Sequence, residues 1–247
     1  MLETGRRLGI RRVAREAGRP PAGVGALDGA IFGLMGLVVA FTFSGAATRF
    51  DVRRQLIVQE TNDIGTAYLR LDLLPASTQA PLRESFRRYV DTRLKVYRLL
   101  PDVAAAEHEL AVSATVQREI WTQAVAACRT AESPATTTLL LSALNAMIDI
   151  TTTRTMAAQM HPPPSIFAML FGLALASALL AGYAMADNAA RSWLHMLGFA
   201  TVMAVVVFVI LQIEYPRLGL MRLDSFDQAL AQLRQSMDAP VLSEPPR

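Results

Sequence analysis

Residues 29–48 read GAIFGLMGLVVAFTFSGAAT, a stretch without one charged side chain. A helix of about 20 residues rises about 30 Å, the thickness of a bilayer's hydrocarbon core. A core helix of a soluble protein carries a polar stripe, and this stretch has almost none. Two later stretches share its character. Residues 155–186 lack Asp, Glu, Lys and Arg, and their continuously apolar part follows Pro162-Pro163-Pro164. That places a second span at 165–186 (SIFAMLFGLALASALLAGYAMA) and a third at 192–213 (SWLHMLGFATVMAVVVFVILQI), where His195 is the one ionisable group. Asp187 to Arg191 joins the last two as a tight antiparallel hairpin. The expected fold class is all-α: an integral membrane protein with about three transmembrane helices and a helical extramembrane region.

Composition agrees with that reading. The 247 residues are 52% hydrophobic and 18% charged, with a mean hydropathy of +0.30. Such a chain is neither disordered nor collagenous, and Cys128, its single cysteine, excludes an internal disulfide and a zinc site built on several thiolates. A cleaved signal peptide does not fit, because the first apolar run starts near residue 29 and flows directly into a helical pattern. The chain divides into a basic segment (1–27), a first span (28–48), a helical extramembrane region (49–163), the spans 165–186 and 192–213, and a C-terminal part (214–247) with an amphipathic helix and a disordered tail. The first ~20 residues and the proline-rich tail from Pro240 are the disorder candidates. Arg6, Arg7, Arg11, Arg12, Arg15 and Arg19 face only Glu3 and Glu16 before the first span. The positive-inside rule therefore keeps residues 1–27 cytoplasmic and puts 49–163 outside, with Arg49, Arg53 and Arg54 competing.

The extramembrane region reads as four helices. Ile57, Ile64, Tyr68 and Leu71 share a face in the first, which is expected to continue the membrane span. Pro75 and Pro81 bracket a turn, a second helix runs to about Leu100, a third from Pro101-Asp102 to about Thr130, and a fourth from Ser133-Pro134 to His161.

Three sets of residues are candidates for function. In the first span Gly25, Gly29 and Gly33 lie four apart, and Gly36, Ala40, Ser44 and Thr48 continue the line. Small residues at this spacing let a second helix approach closely, either inside the chain or around a symmetry axis. Phe41 and Phe43, beside Ser44, could form an apolar constriction, or could face lipid or a neighbouring helix. The second extramembrane helix carries Arg83, Arg87, Arg88, Arg93, Lys95 and Arg98 against Glu84 and Asp91, with Glu84–Arg88 and Asp91–Lys95 spaced to pair. It is a solvated face, or one that attracts anions or lipid headgroups through Arg83, Arg87 and Arg88. Asn145, Asp149, Thr152 and Arg154 can serve an interhelical polar network or a hydrophilic lining. No nucleotide-binding, metal-protease or nucleophile-elbow motif occurs, and neither catalytic, cofactor nor metal residues are expected. The arginines sit in no nucleic-acid-binding motif.

The segments FTFSGAATRFD (41–51), RRQLIVQETNDIGTAYLRLDLLP (53–75), RRYVDTRLKVYR (87–98), LNAMIDITTTRTMAA (144–158), RSWLHMLGFA (191–200) and EYPRLGLMRLDSFD (214–227) carry a family likeness. Over about residues 27–237 the chain resembles the bacterial bestrophin-like membrane proteins, a family grouped as a domain of unknown function. Its name records a distant likeness to bestrophins, which are pentameric anion channels with helical cytosolic regions. Phe41 and Phe43 are similar in kind to the aromatic neck of a bestrophin. Members of the family often carry a further hydrophobic segment ahead of the arginine-rich piece, so this member lacks it or the chosen start is internal. Bestrophin topology would place residues 49–163 in the cytosol, opposite to the arginine rule. The resemblance implies a multi-pass protein of the bacterial inner membrane, a homo-oligomer in the lipid bilayer that conducts inorganic anions without a cofactor. The alternative is a non-conducting scaffold or sensor that binds a partner through its helical region.

Overall fold

The computed structural model describes residues 1–15, 24–131, 133–187, 193–216 and 224–238. Among them every regular element is helical: α1 (Leu2–Arg15), α2 (Val24–Leu69), α3 (Ala76–Leu99), α4 (Val103–Cys128), α5 (Pro134–Gln159), α6 (Pro164–Ala184), α7 (Trp193–Glu214) and α8 (Asp224–Ser236). Short 3-10 turns occupy Arg70–Leu73 and Met185–Asp187. Three helical stretches, within Gly25–Leu73, Pro134–Ala184 and Trp193–Glu214, are long and apolar enough to cross a membrane.

Helix ends follow local chemistry. The Asp102 side chain accepts from the Ala105 N–H at 3.0 Å and caps α4, and the Ser133 hydroxyl accepts from Ala135 N–H ahead of Pro134 at the start of α5. Two expectations fail here. Pro81 does not close a turn: α3 begins at Ala76 and runs through it, and the one backbone hydrogen bond that Pro81 removes is outweighed by the burial of Leu82, Phe86, Tyr89 and Val90 on the same helix. Of the first ~20 residues expected to be disordered, Leu2–Arg15 form α1, whose glycines are buried against α6, and 16–20 lie outside the described residues. The α6–α7 hairpin loop at 188–191 and the tail from Pro240 lie outside the described residues.

The chain forms two compact units. The first comprises Met1–Arg49 and His161–Glu214. There Met35 and Val38 of α2 pack with Leu170 of α6 and Ile210 of α7. The buried Thr42 hydroxyl donates to its own helix at Val38 O, 2.7 Å away, so this hydroxyl is not left bare in apolar surroundings. α1 crosses α6 at a glycine contact. A Cβ at Gly5 would overlap the Leu179 carbonyl, and one at Gly182 would overlap the Leu2 carbonyl. Only hydrogen at these positions allows the two backbones to meet.

The second unit comprises Phe50–Met160 and Tyr215–Arg247. Ile64, Leu71, Phe86, Tyr89, Ile120 and Met147 are fully buried in its core, and Leu230 and Met237 of the C-terminal part join them. Side chains of this size contribute about 1.5–3 kcal/mol each when withdrawn from water.

Candidate functional site

α2 has two faces within the first unit. Met35, Val38, Thr42 and Ala46 are buried at steps of three and four. The opposite face holds Gly29, Gly33, Gly36 and Ser44, all exposed. A Cβ added at Gly25, Gly29, Gly33 or Gly36 would meet nothing within 4 Å among the described residues. Among the described residues the glycines of this line are thus not used for packing. Phe41 and Phe43 are exposed as well, at 68% and 44%.

Where the apolar part of α2 ends, one carboxylate gathers a guanidinium and an imidazole. Glu214 is the last residue of α7 and its side chain is fully buried. A carboxylate is disfavoured at a helix C-terminus, where the carbonyl ends are already negative. Arg49 offsets this by donating Nε and Nη2 to Oε2 at 3.0 and 2.7 Å. His161 Nδ1 lies 2.9 Å from Oε1. Arg49 ends the first of the two segments that build the first unit, and His161 and Glu214 begin and end the second. One step further along α2, Arg53 donates Nε and Nη2 to the carbonyls of Ala157 and Met160, 3.1 and 2.9 Å away, and so satisfies the C-terminal end of α5.

The second unit holds a buried ion cluster. Glu60 of α2 accepts from Arg93 Nε of α3 at 2.6 Å and from Arg154 Nη1 of α5. Tyr97 joins it, donating to Glu60 Oε2 at 3.4 Å and accepting from Arg93 Nη2. Its ring lies under the Arg154 guanidinium, 3.8 Å from centroid to Cζ. Burial alone pushes the Glu60 carboxyl up, but the two guanidiniums and their hydrogen bonds win and hold it below the ordinary carboxylate range. Beside it the Tyr89 hydroxyl accepts from Gln117 Nε2 and pairs with Thr151 Oγ1, both at 3.0 Å, and burial raises that phenol above its usual range.

The other sequence candidates are distributed differently from expectation. Arg154 is buried in the cluster, whereas Asn145, Asp149 and Thr152 are exposed on α5, so the four do not form one network. The steps from Met147 to Ile150 to Arg154 put Arg154 on the apolar face of α5, and Thr151 rather than Thr152 reaches the interior. The basic helix α3 is ion-paired mostly with other elements. Arg83 pairs with Asp72, Arg88 with Glu119 at 2.6 Å, and Lys95 with Glu109 at 2.7 Å. Asp91 takes Arg234 of α8 at 2.9 Å. Arg87 pairs with Glu84 at 3.1 Å and donates to Met237 O. The expected Glu84–Arg88 and Asp91–Lys95 pairs do not form, because carboxylates on neighbouring helices reach the same cations in better-buried positions. Among the described residues no cluster of three or more His, Cys, Asp or Glu is placed to hold a metal ion.

Glu60, Arg93, Arg49, His161 and Glu214 were not singled out from the sequence as a site. A signal existed for the first two: Glu60 lies between Ile57 and Ile64 on the apolar side of α2, and Arg93 between Tyr89 and Val96 on that of α3. A charge on a core stripe needs a partner inside.

Neither a curated protein nor a solved structure matches the chain. The family model of the bestrophin-like domain matches residues 9–225 of the 247. That stretch holds the apolar helices, the Glu214 clasp and the buried Glu60 cluster, and the chain belongs to the bestrophin-like domain family.

Proposed function

We propose that the protein is an oligomeric ion channel of the bacterial inner membrane, and that the outward face of α2 is where its subunits meet or line the conducting path. The observation that carries this is the free face itself. Gly29, Gly33, Gly36 and the exposed Ser44 form a small-residue line, no described atom lies within 4 Å of a Cβ added at its glycines, and two exposed phenylalanines lie near its end. Copies arranged around an axis would bring these lines together, and a ring of phenylalanines is narrow and apolar enough to exclude water until it widens. The clasp supports the three-span topology. The end of the α2 span, the start of α6 and the end of α7 converge on one carboxylate, as three alternating spans require. Anions are the proposed permeant class, as the likeness to bestrophins implies. The cations of α3 add little to that preference, since Arg83, Arg87 and Arg88 are each paired with a carboxylate.

The test is flux or planar-bilayer current from purified protein, with an anion-substitution series. Conductance that rises in Phe41→Ala or Phe43→Ala is expected. Folded protein that gives no current above empty liposomes across voltage and pH would refute the channel reading in favour of a scaffold.

A further inference from the structure

We infer that α1 is a binding surface for anionic phospholipid headgroups, an inference that rests on the membrane-spanning reading of α6. The glycine contact fixes where α1 lies. Gly5 meets Leu179 and Tyr183 at the C-terminal end of α6, and Gly9 meets Tyr183 and Ala186 of the 3-10 turn that follows it. A spanning helix of 21 residues reaches the end of the hydrocarbon there, at about 1.5 Å per residue. Arg12 donates to the Tyr183 hydroxyl and sits over its ring, 5.8 Å from the centroid, so the inner face of α1 is occupied. Arg7, Arg11 and Arg15 recur every fourth residue and are all exposed, on the side of the helix away from Gly5 and Gly9.

Arg7 shares Glu3 at 2.9 Å and keeps 71% of its side chain exposed. Arg11 and Arg15 have no acidic partner among the described residues. Leu8, Ile10 and Val13, between 40% and 46% exposed, accompany the stripe. Cations with apolar neighbours, held at the depth of the interface, match a phosphodiester headgroup with its acyl chains below it. Guanidinium pairs with phosphate oxygens through two parallel hydrogen bonds, which favours a lipid that carries net negative charge over a zwitterionic one. Three spaced arginines would engage the headgroups of more than one lipid, and the glycine contact removes the ordering cost that a free basic segment would incur on binding.

The experiment offers full-length protein in detergent an equimolar mixture of phosphatidylglycerol and phosphatidylethanolamine, and counts retained lipids by native mass spectrometry. Wild type should retain phosphatidylglycerol at least about ten-fold over phosphatidylethanolamine, given a gain of about five-fold for each basic residue at a membrane surface. Arg7→Gln/Arg11→Gln/Arg15→Gln should abolish that preference. The corresponding lysine substitutions should largely preserve it, and Arg98→Gln/Arg118→Gln/Arg129→Gln, a matched loss of charge on exposed positions elsewhere, should leave it intact. Retention of the preference in the α1 glutamine variant would overturn the inference, as would equal loss in the two glutamine variants. Displacement of the lipid by millimolar inorganic phosphate would assign the stripe to a soluble anion and overturn it too. Flotation with neutral phosphatidylcholine vesicles reads insertion separately, so a failure of the membrane reading is distinguishable.

Discussion

Replacing Glu60 by Gln tests whether the buried cluster holds the helical unit together. Glu60 is fully buried, and the side chains of Arg93 and Arg154 are 1% and 7% exposed. Glutamine is nearly isosteric, so the change removes charge and leaves volume. It strands two guanidiniums in the interior, and breaking a buried pair in this way costs about 3–5 kcal/mol. At roughly 2–4 °C per kcal/mol for a chain of this size, the melting temperature should fall by roughly 6–20 °C. The all-apolar variant Glu60→Leu/Arg93→Met/Arg154→Met should recover much of the loss, because the desolvation cost of three ions disappears with their attraction. Glu84→Gln, which removes an exposed partner of Arg87, should change stability by less than about 1 kcal/mol. Unfolding is followed by far-UV circular dichroism in detergent at a fixed scan rate, since such melts are often irreversible. The pH dependence has a definite sign. The Glu60 carboxyl is held below its ordinary range in the folded protein, so its stabilisation is complete above the ordinary carboxylate value of about 4.3. It is lost as pH falls through the depressed folded value. A Glu60→Gln protein that melts within 2 °C of wild type, on the order of 1 kcal/mol or less, would refute the reasoning.

Gly33→Leu and Gly36→Leu should leave the protomer's melting temperature unchanged, because no described atom lies within 4 Å of either added Cβ, and should dissociate the oligomer on size-exclusion with light scattering. Gly182→Leu should displace α1 by driving a side chain into the Leu2 carbonyl, read as at least about ten-fold faster tryptic cleavage at Arg7 and Arg11. Gly172→Leu, which meets nothing within 4 Å, is the matched control. On the arginine rule, Gln79→Cys and Thr130→Cys in a Cys128→Ser background should label with an impermeant maleimide in intact spheroplasts. Labelling only after lysis would put residues 49–163 in the cytosol.

What could be read from the sequence tracks how local the cause is. The apolar runs of α2, α6 and α7 are long and uninterrupted, and Asp102, Ser133 and Pro164 mark helix starts through contacts within one turn. Pairings between helices are another matter. Glu60 meets Arg93 and Arg154 from 33 and 94 residues away, and periodicity says which face each occupies but not which face it meets. The ion pairs of α3 failed for the same reason: spacing favours Glu84–Arg88, yet Glu119 of α4 competes from across a hairpin. The glycines mislead in a related way. Gly29 and Gly33 look like the packing motif, but among the described residues the pair packed against another helix is Gly5 and Gly9, which sits in an arginine-rich segment and so resembles a charged tail.

The contrast among outward faces bears on what the α2 line meets. α7 exposes Leu194, Leu197, Val202, Val205 and Phe208, and α6 exposes Phe171 and Leu175. Large apolar side chains of this kind are as well served by acyl chains as by protein, so those faces need no partner in a membrane. A glycine line differs physically. It presents bare backbone and a shallow groove, which flexible acyl chains fill poorly, whereas a facing helix can press its backbone into it and gain close dispersion contacts over its whole length. Phe32 and Leu37, 37% and 52% exposed, lie on either side of that groove and supply the ridges that would interlock with a neighbour. Glycine also lowers helix propensity by about 1 kcal/mol per residue relative to alanine. A helix that carries Gly29, Gly33 and Gly36 with no described residue of its own chain packed against them therefore bears a cost that contact with another copy would offset, and contact with lipid would not.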